Sequence, residues 1–224
     1  MNIRSNTLEE GLYNKNEVSI IRIPQQKFLV IYVKKNSTKF NIAIRIGILK
    51  YLSQLILMEY EKENKTKTKV ACEKYKNFSL EKIRMMPNFI SDRKENESCA
   101  LLIRQPNFIN EDYFKKIYSK AKKNSYHPIL EEIEFLITGS RLCAQIIQTE
   151  STAEIKGSLE ELDRYILSNN YEHADRYFRE IYLNSSHEKK GRSGTRILRC
   201  NISKAADQKY KAKSNLTVDM SKSN

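Results

Sequence analysis

Short apolar runs and longer helical stripes alternate along the chain. Val18–Ile23 and Phe28–Val33 read as two strands, with Pro24 and Gln25-Gln26 turning between them. Asn36-Ser37-Thr38 then offers helix caps, and Phe40, Ile44, Ile48, Tyr51, Leu52 and Leu55 recur at helical spacing to about Tyr60. Gly47 falls inside this helix, where glycine costs about 1 kcal/mol relative to alanine. Close packing against a sheet is the expected reason for it. Leu80, Ile83, Met85 and Met86 mark a strand ending at Pro87, and Cys99–Arg104 a buried one. Asn110 caps a helix from Glu111 to about Lys123, with Tyr113, Phe114, Ile117 and Tyr118 as its inner stripe. Ile129–Thr138 and Arg141–Thr149 read as strands joined by Gly139-Ser140. A third helix is expected from Ser158, where Ser158 and Glu161 have capping-box spacing. Leu159, Leu162, Tyr165 and Ile166 form its inner face. Tyr177–Leu183 and Thr195–Ile202 are the last strands.

This order is strand-strand-helix-strand-strand, a helix, then strand-strand-helix-strand-strand again. It predicts an α+β fold with duplicated strand-helix-strand-strand halves and antiparallel sheets. Phe28–Arg104 parallels Arg141–Ile202, and Leu102-Ile103-Arg104 is echoed by Ile197-Leu198-Arg199. Residues 1–16 are polar and read as a flexible leader, 17–202 as the folded domain. Residues 203–224 carry few apolar anchors and are expected to be a disordered basic tail.

Tyr177–Leu183 holds the candidate chemistry. Strand side chains alternate, so Ile181 and Leu183 point one way and Phe178, Glu180 and Tyr182 the other. A carboxylate amid a strand apolar on both faces is costly unless paired, hydrated or used. Two readings follow. Either Glu180 lies near an edge and reaches water or an arginine, or it lines a concave aromatic pocket with Phe178 and Tyr182.

Arg179-Glu180-Ile181-Tyr182-Leu183, a polar loop, then Thr195-Arg196-Ile197-Leu198-Arg199 resembles the C-terminal signature of the GyrI-like small-molecule-binding family. Leu101–Ile109 resembles that family's middle strand and the turn into its second helix, and Leu142–Ile147 is a third match in order. Such domains also serve as effector domains of multidrug-sensing transcription regulators. The resemblance implies two halves about a pseudo-twofold with a ligand pocket between them. It makes Glu180 the counter-charge for an amphipathic, cationic ligand and Tyr182 the ring beside it, with Phe178 and Phe89 as further walls. Some free-standing relatives hydrolyse cyclopropane-bearing electrophiles, which would make Glu180 a general base. The chain has no tryptophan, where relatives often place pocket walls. The expectation therefore tilts towards a stand-alone domain that binds or sequesters its ligand, with a hydrolase and a ligand-responsive transcription co-regulator as alternatives.

The formal net charge of +13 suggests nucleic acid or a membrane surface as partner. The basic residues are spread along a chain rich in Lys, Asn and Ile, and no recognition element accompanies them. No specific nucleic acid and no membrane partner are expected, only a small-molecule ligand, with the chain a monomer or weak dimer. No apolar signal core opens the sequence, which predicts a cytoplasmic protein. Cys72, Cys99, Cys143 and Cys200 are isolated and read as reduced, buried thiols. No His, Cys and carboxylate spacing suggests a metal, and no cofactor fingerprint is present.

Overall fold

A computed structural model describes residues 18–33, 39–64, 79–86, 98–148, 155–183 and 195–205. Eight strands form one antiparallel sheet: β1 (Ser19–Ile23), β2 (Gln26–Val33), β3 (Leu80–Met85), β4 (Cys99–Gln105), β5 (Ile133–Thr138), β6 (Arg141–Gln148), β7 (Tyr171–Tyr182) and β8 (Arg196–Lys204). Among the described residues three α-helices accompany them: α1 (Lys39–Glu63), α2 (Glu111–Asn124) and α3 (Ile155–Ser168). The α+β class, the duplication and the antiparallel pairing hold, with all eight strands in one sheet. Its order is β1-β6-β8-β7-β3-β4-β2-β5.

The repeat is strand-strand-helix-strand-strand, β1-β2-α1-β3-β4 and then β5-β6-α3-β7-β8. The repeats meet at the centre, where β3 pairs with β7. At the outer ends they exchange strands. Although only Pro24 and Gln25 separate β1 from β2, β1 pairs with β6 and β2 with β5. The sheet therefore curls until its ends approach, and Ser140 donates to the Ile23 carbonyl at 3.1 Å.

All three helices pack on one face. Leu49, Leu52 and Ile56 of α1 and Phe114, Ile117 and Ala121 of α2 join Leu29, Ile31, Leu101 and Ile103 in one apolar cluster. Leu159, Leu162 and Ile166 of α3 join Ala144, Ile146, Phe178, Leu198 and Cys200 in a second. Burying one such side chain contributes roughly 1.5–3 kcal/mol, so these clusters hold the helices down. The opposite face, helix-free among the described residues, lines the inside of the curl with Phe28, Val30, Ile83, Ala100 and Leu102.

Several expectations change. Apolar residues run nearly all round α1, so spacing did not settle its orientation; Tyr51 is exposed, and the buried stripe centres on Leu49, Leu52 and Ile56. Gly47 is exposed, and a Cβ there would meet nothing within 4 Å. Close packing does not account for that glycine. Asn110 caps α2 as expected, its side chain accepting from the Tyr113 amide at 2.8 Å. The Ser158–Glu161 box is not a cap, because α3 already begins at Ile155. Ile129 to Glu132 is 3-10 helix, with Pro128 in its first turn, and the strand begins only at Ile133. Asn36–Thr38, Phe89, Cys72, the leader and the tail from residue 206 lie outside the described residues.

Candidate functional site

β7 lies between β8 and β3, inside the sheet. Its side chains alternate as the sequence predicts. Phe178 belongs to the apolar cluster under α3, while Tyr182 packs against the cluster under α1 and α2. Glu180 falls between them on the same helix-bearing face, at the seam of the two repeats.

Pairing brings in the neighbours. Lys82 of β3 and Leu198 of β8 stand directly opposite Glu180. Arg84 opposes Phe178, and Arg196 opposes Tyr182, with Gln148 of β6 beyond it. With the Tyr182 hydroxyl, six polar side chains from four strands thus share one face. Each arrives by register, so a one-residue slip of any strand would turn its contribution away.

Glu180 is only 1% exposed, yet three donors reach its carboxylate. Arg84 Nη1 donates to Oε1 at 3.1 Å. Arg196 Nη1 donates to Oε2 at 3.2 Å, and the Tyr182 hydroxyl to the same oxygen at 3.1 Å. Arg196 Nε donates to Gln148 Oε1 at 2.6 Å. The Arg84 guanidinium also lies 5.8 Å from the centre of the Phe178 ring, within cation–π range. Burial, then the Glu180 charge and its hydrogen bond, push the Tyr182 phenol well above its ordinary value. It is therefore a donor and not a phenolate nucleophile. Burial likewise raises the nearby Cys99 thiol, although Lys82 and Arg84 oppose this. That thiol is no activated nucleophile.

Of the residues singled out in the sequence, Phe178, Glu180 and Tyr182 come together on one face. Phe89 cannot be placed. Glu180 is interior, not at an edge, and it reaches two arginines. Sequence reasoning passed over Arg84, Arg196, Gln148 and Lys82. A signal existed for two of them, because Lys82 and Arg84 alternate along β3 and must share a face.

No protein-family model and no curated protein sequence matches the chain. Solved structures do. An uncharacterised conserved protein from Listeria innocua superposes with a TM-score of 0.68 at 18% identity, covering 88% of this chain and 98% of that one. A hydrolase from Listeria innocua gives a TM-score of 0.68 at 17% identity with the same coverage. The C-terminal domain of EcmrR gives a TM-score of 0.50 at 10% identity, covering 84% of this chain and 98% of its own. The likeness spans 84–88% of this chain and 98% of each of the three. The fold is GyrI-like. In this GyrI-like sheet the seam with Glu180 is the meeting line of the two repeats. Among the described residues, no three His, Cys, Asp or Glu side chains are grouped to hold a metal. No described helix is long and apolar enough to cross a membrane.

Proposed function

We propose that this chain binds amphipathic small molecules on the helix-bearing face, over the seam of β3 and β7. The observation that carries this reading is the desolvated cluster around Glu180. Well-packed apolar residues in place of a buried ion pair are often neutral or stabilising, by about 1–4 kcal/mol. A carboxylate, two guanidiniums and a phenol between two apolar clusters are therefore more than the fold requires. Phe178 and Tyr182 supply apolar walls, and Arg84 keeps the polar floor in touch with solvent. A cationic ligand, as the resemblance implies, would have to share Glu180 with both arginines.

A second reading is hydrolysis of a strained electrophile. It is favoured by the carboxylate and phenol side by side at 3.1 Å, one able to accept a proton from water and the other to donate a hydrogen bond. Two of the similar structures, both from Listeria innocua, are of a hydrolase. Against it, the carboxylate oxygens are already taken up by three donors, from Arg84, Arg196 and Tyr182.

The test is calorimetric titration of the full chain with aryl and alkyl amphiphiles, followed by chromatography after long incubation. Binding should saturate, weaken in Tyr182→Ala and Phe178→Ala, and return the compound unchanged. Product that vanishes in Glu180→Gln would establish the enzyme instead. Binding indifferent to both aromatic substitutions would move the ligand away from the seam.

A further inference from the structure

We infer that the ligand taken at this seam carries an anionic head group, a carboxylate, sulfonate or phosphate on an apolar body. This rests on the seam being the binding site.

Arg196 is the first reason. It is 4% exposed, and its Nε and Nη1 are bonded to Gln148 and Glu180. Its Nη2 is buried and has no hydrogen-bond partner among the described residues. A guanidinium has five N–H donors in a rigid planar fork and no acceptor capacity. An idle buried Nη2 therefore leaves two charged donors stripped of water and unused, which is costly. The group that satisfies them has to be an acceptor. An oxyanion does so with a charge-assisted bond, whereas a cationic head group has nothing to offer.

The charge count is the second reason. Lys82, Arg84 and Arg196 share the face with Glu180, three formal positive charges against one negative. Glu180 spends both oxygens on the two guanidiniums and the phenol. An incoming ammonium would meet two surplus positive charges and a carboxylate already engaged. An incoming oxyanion would meet the surplus and the idle donors together. The Arg84 side chain is 31% exposed, so its guanidinium can meet a head group arriving from solvent. Tyr182, which is also partly exposed, then faces the apolar body.

Glu180 takes a different role in this arrangement. It is a positioning residue that fixes Arg84 and Arg196 on either side of itself and aims the free edge of Arg196. The head group binds the arginines, not the glutamate.

The experiment uses one apolar body with three heads: biphenyl-4-carboxylate, biphenyl-4-methanol and (biphenyl-4-yl)methyl-trimethylammonium, titrated by calorimetry into the full chain. The carboxylate should bind at least about ten times more tightly than the ammonium, the scale of one hydrogen bond to a charged group. Arg196→Gln and, separately, Arg84→Gln should reduce that preference while leaving the alcohol within about threefold of its original affinity, because only the charged contact is lost. Arg84 is the partly exposed partner, so its variant keeps the test alive if Arg196→Gln fails to fold. An ammonium that binds more tightly than the carboxylate overturns the inference and leaves the binding site standing. So does a carboxylate preference unchanged in both variants. If none of the three compounds binds, the site itself fails.

Discussion

The two faces of the central strand pair each carry a carboxylate gripped by arginine, and they differ in what is left over. On the helix-free face, Arg179 of β7 donates to Glu81 of β3 at 2.7 Å, and its guanidinium lies 5.0 Å from the centre of the Phe28 ring. Cations crowd that face as well. Arg199 stands opposite Arg179, and burial followed by repulsion from Arg179 pulls the Arg141 guanidinium down to about 10. Yet each has an oxygen to bond: Arg199 donates twice to Gln145, and Arg141 donates to Thr138. No nitrogen of these three arginines is buried without a partner. On the helix-bearing face the carboxylate is engaged just as fully, but Arg196 keeps an idle buried nitrogen. The Arg179–Glu81 pair of β7 and β3 is thus closed, whereas Glu180 leans on an arginine from β8 whose Nη2 stays idle.

The largest effect is expected where the pair is finished. Arg179→Met strands Glu81 inside the curl and should cost about 3–5 kcal/mol in urea unfolding. The double variant Glu81→Met/Arg179→Met should recover most of that loss. A double variant as unstable as the single one would show that Arg179 acts by packing on Phe28 and not by pairing. Glu180→Gln should cost less, about 1–3 kcal/mol, because its amide still accepts one bond and Arg84 can turn to water. If it matches the loss in Arg179→Met, the helix-bearing cluster is as closed as the other. Arg84→Gln should change stability by less than about 1 kcal/mol, since the side chain is partly exposed. Circular dichroism melts would reveal a larger role.

The smallest effects lie at alkaline pH and differ in sign between the faces. Tyr182 holds its proton in the folded chain beyond the pH at which an unfolded tyrosine loses it. Its contribution is complete below about pH 10 and falls as pH rises above that. Arg141 behaves in the opposite way. Folded, it releases its proton from about 10 upwards, while unfolded arginine holds on, so its contribution rises there. Urea unfolding from pH 9 to 11 should show a shallower alkaline decline in Tyr182→Phe and a steeper one in Arg141→Gln. Parallel slopes in both variants and the parent would remove this distinction between the faces.

Much of the fold was legible because it depends on short-range pattern. Period-two alternation placed Phe178, Glu180 and Tyr182 together, and Asn110 with its acidic first turn located α2. The Ser158–Glu161 spacing misled because a cap motif is local chemistry, and here it falls within the first turn of a helix already begun at Ile155. Apolar residues all round α1 hid which side was buried. The partners of Glu180 were harder to see for another reason. Arg84 and Arg196 reach it through the β3–β7 and β7–β8 registers, and register between distant strands is not written in either strand alone. Strand exchange was hidden in the same way, since the Pro24-Gln25 connection looks like an ordinary turn until β1 is found on β6.

That exchange limits how the molecule can move. Because β1 pairs with β6, β5 with β2 and β3 with β7, the two repeats are fastened along three ladders, one at the middle and one near each end. Prising them apart would rupture all three at once. A clamshell motion about the seam is thereby barred, unlike in proteins whose halves share a single hinge. A ligand at the proposed site would have to enter by smaller movements instead, such as a swing of the partly exposed Arg84 or a turn of a ring. Its residence time would then depend on those few side chains and not on any breathing of the sheet.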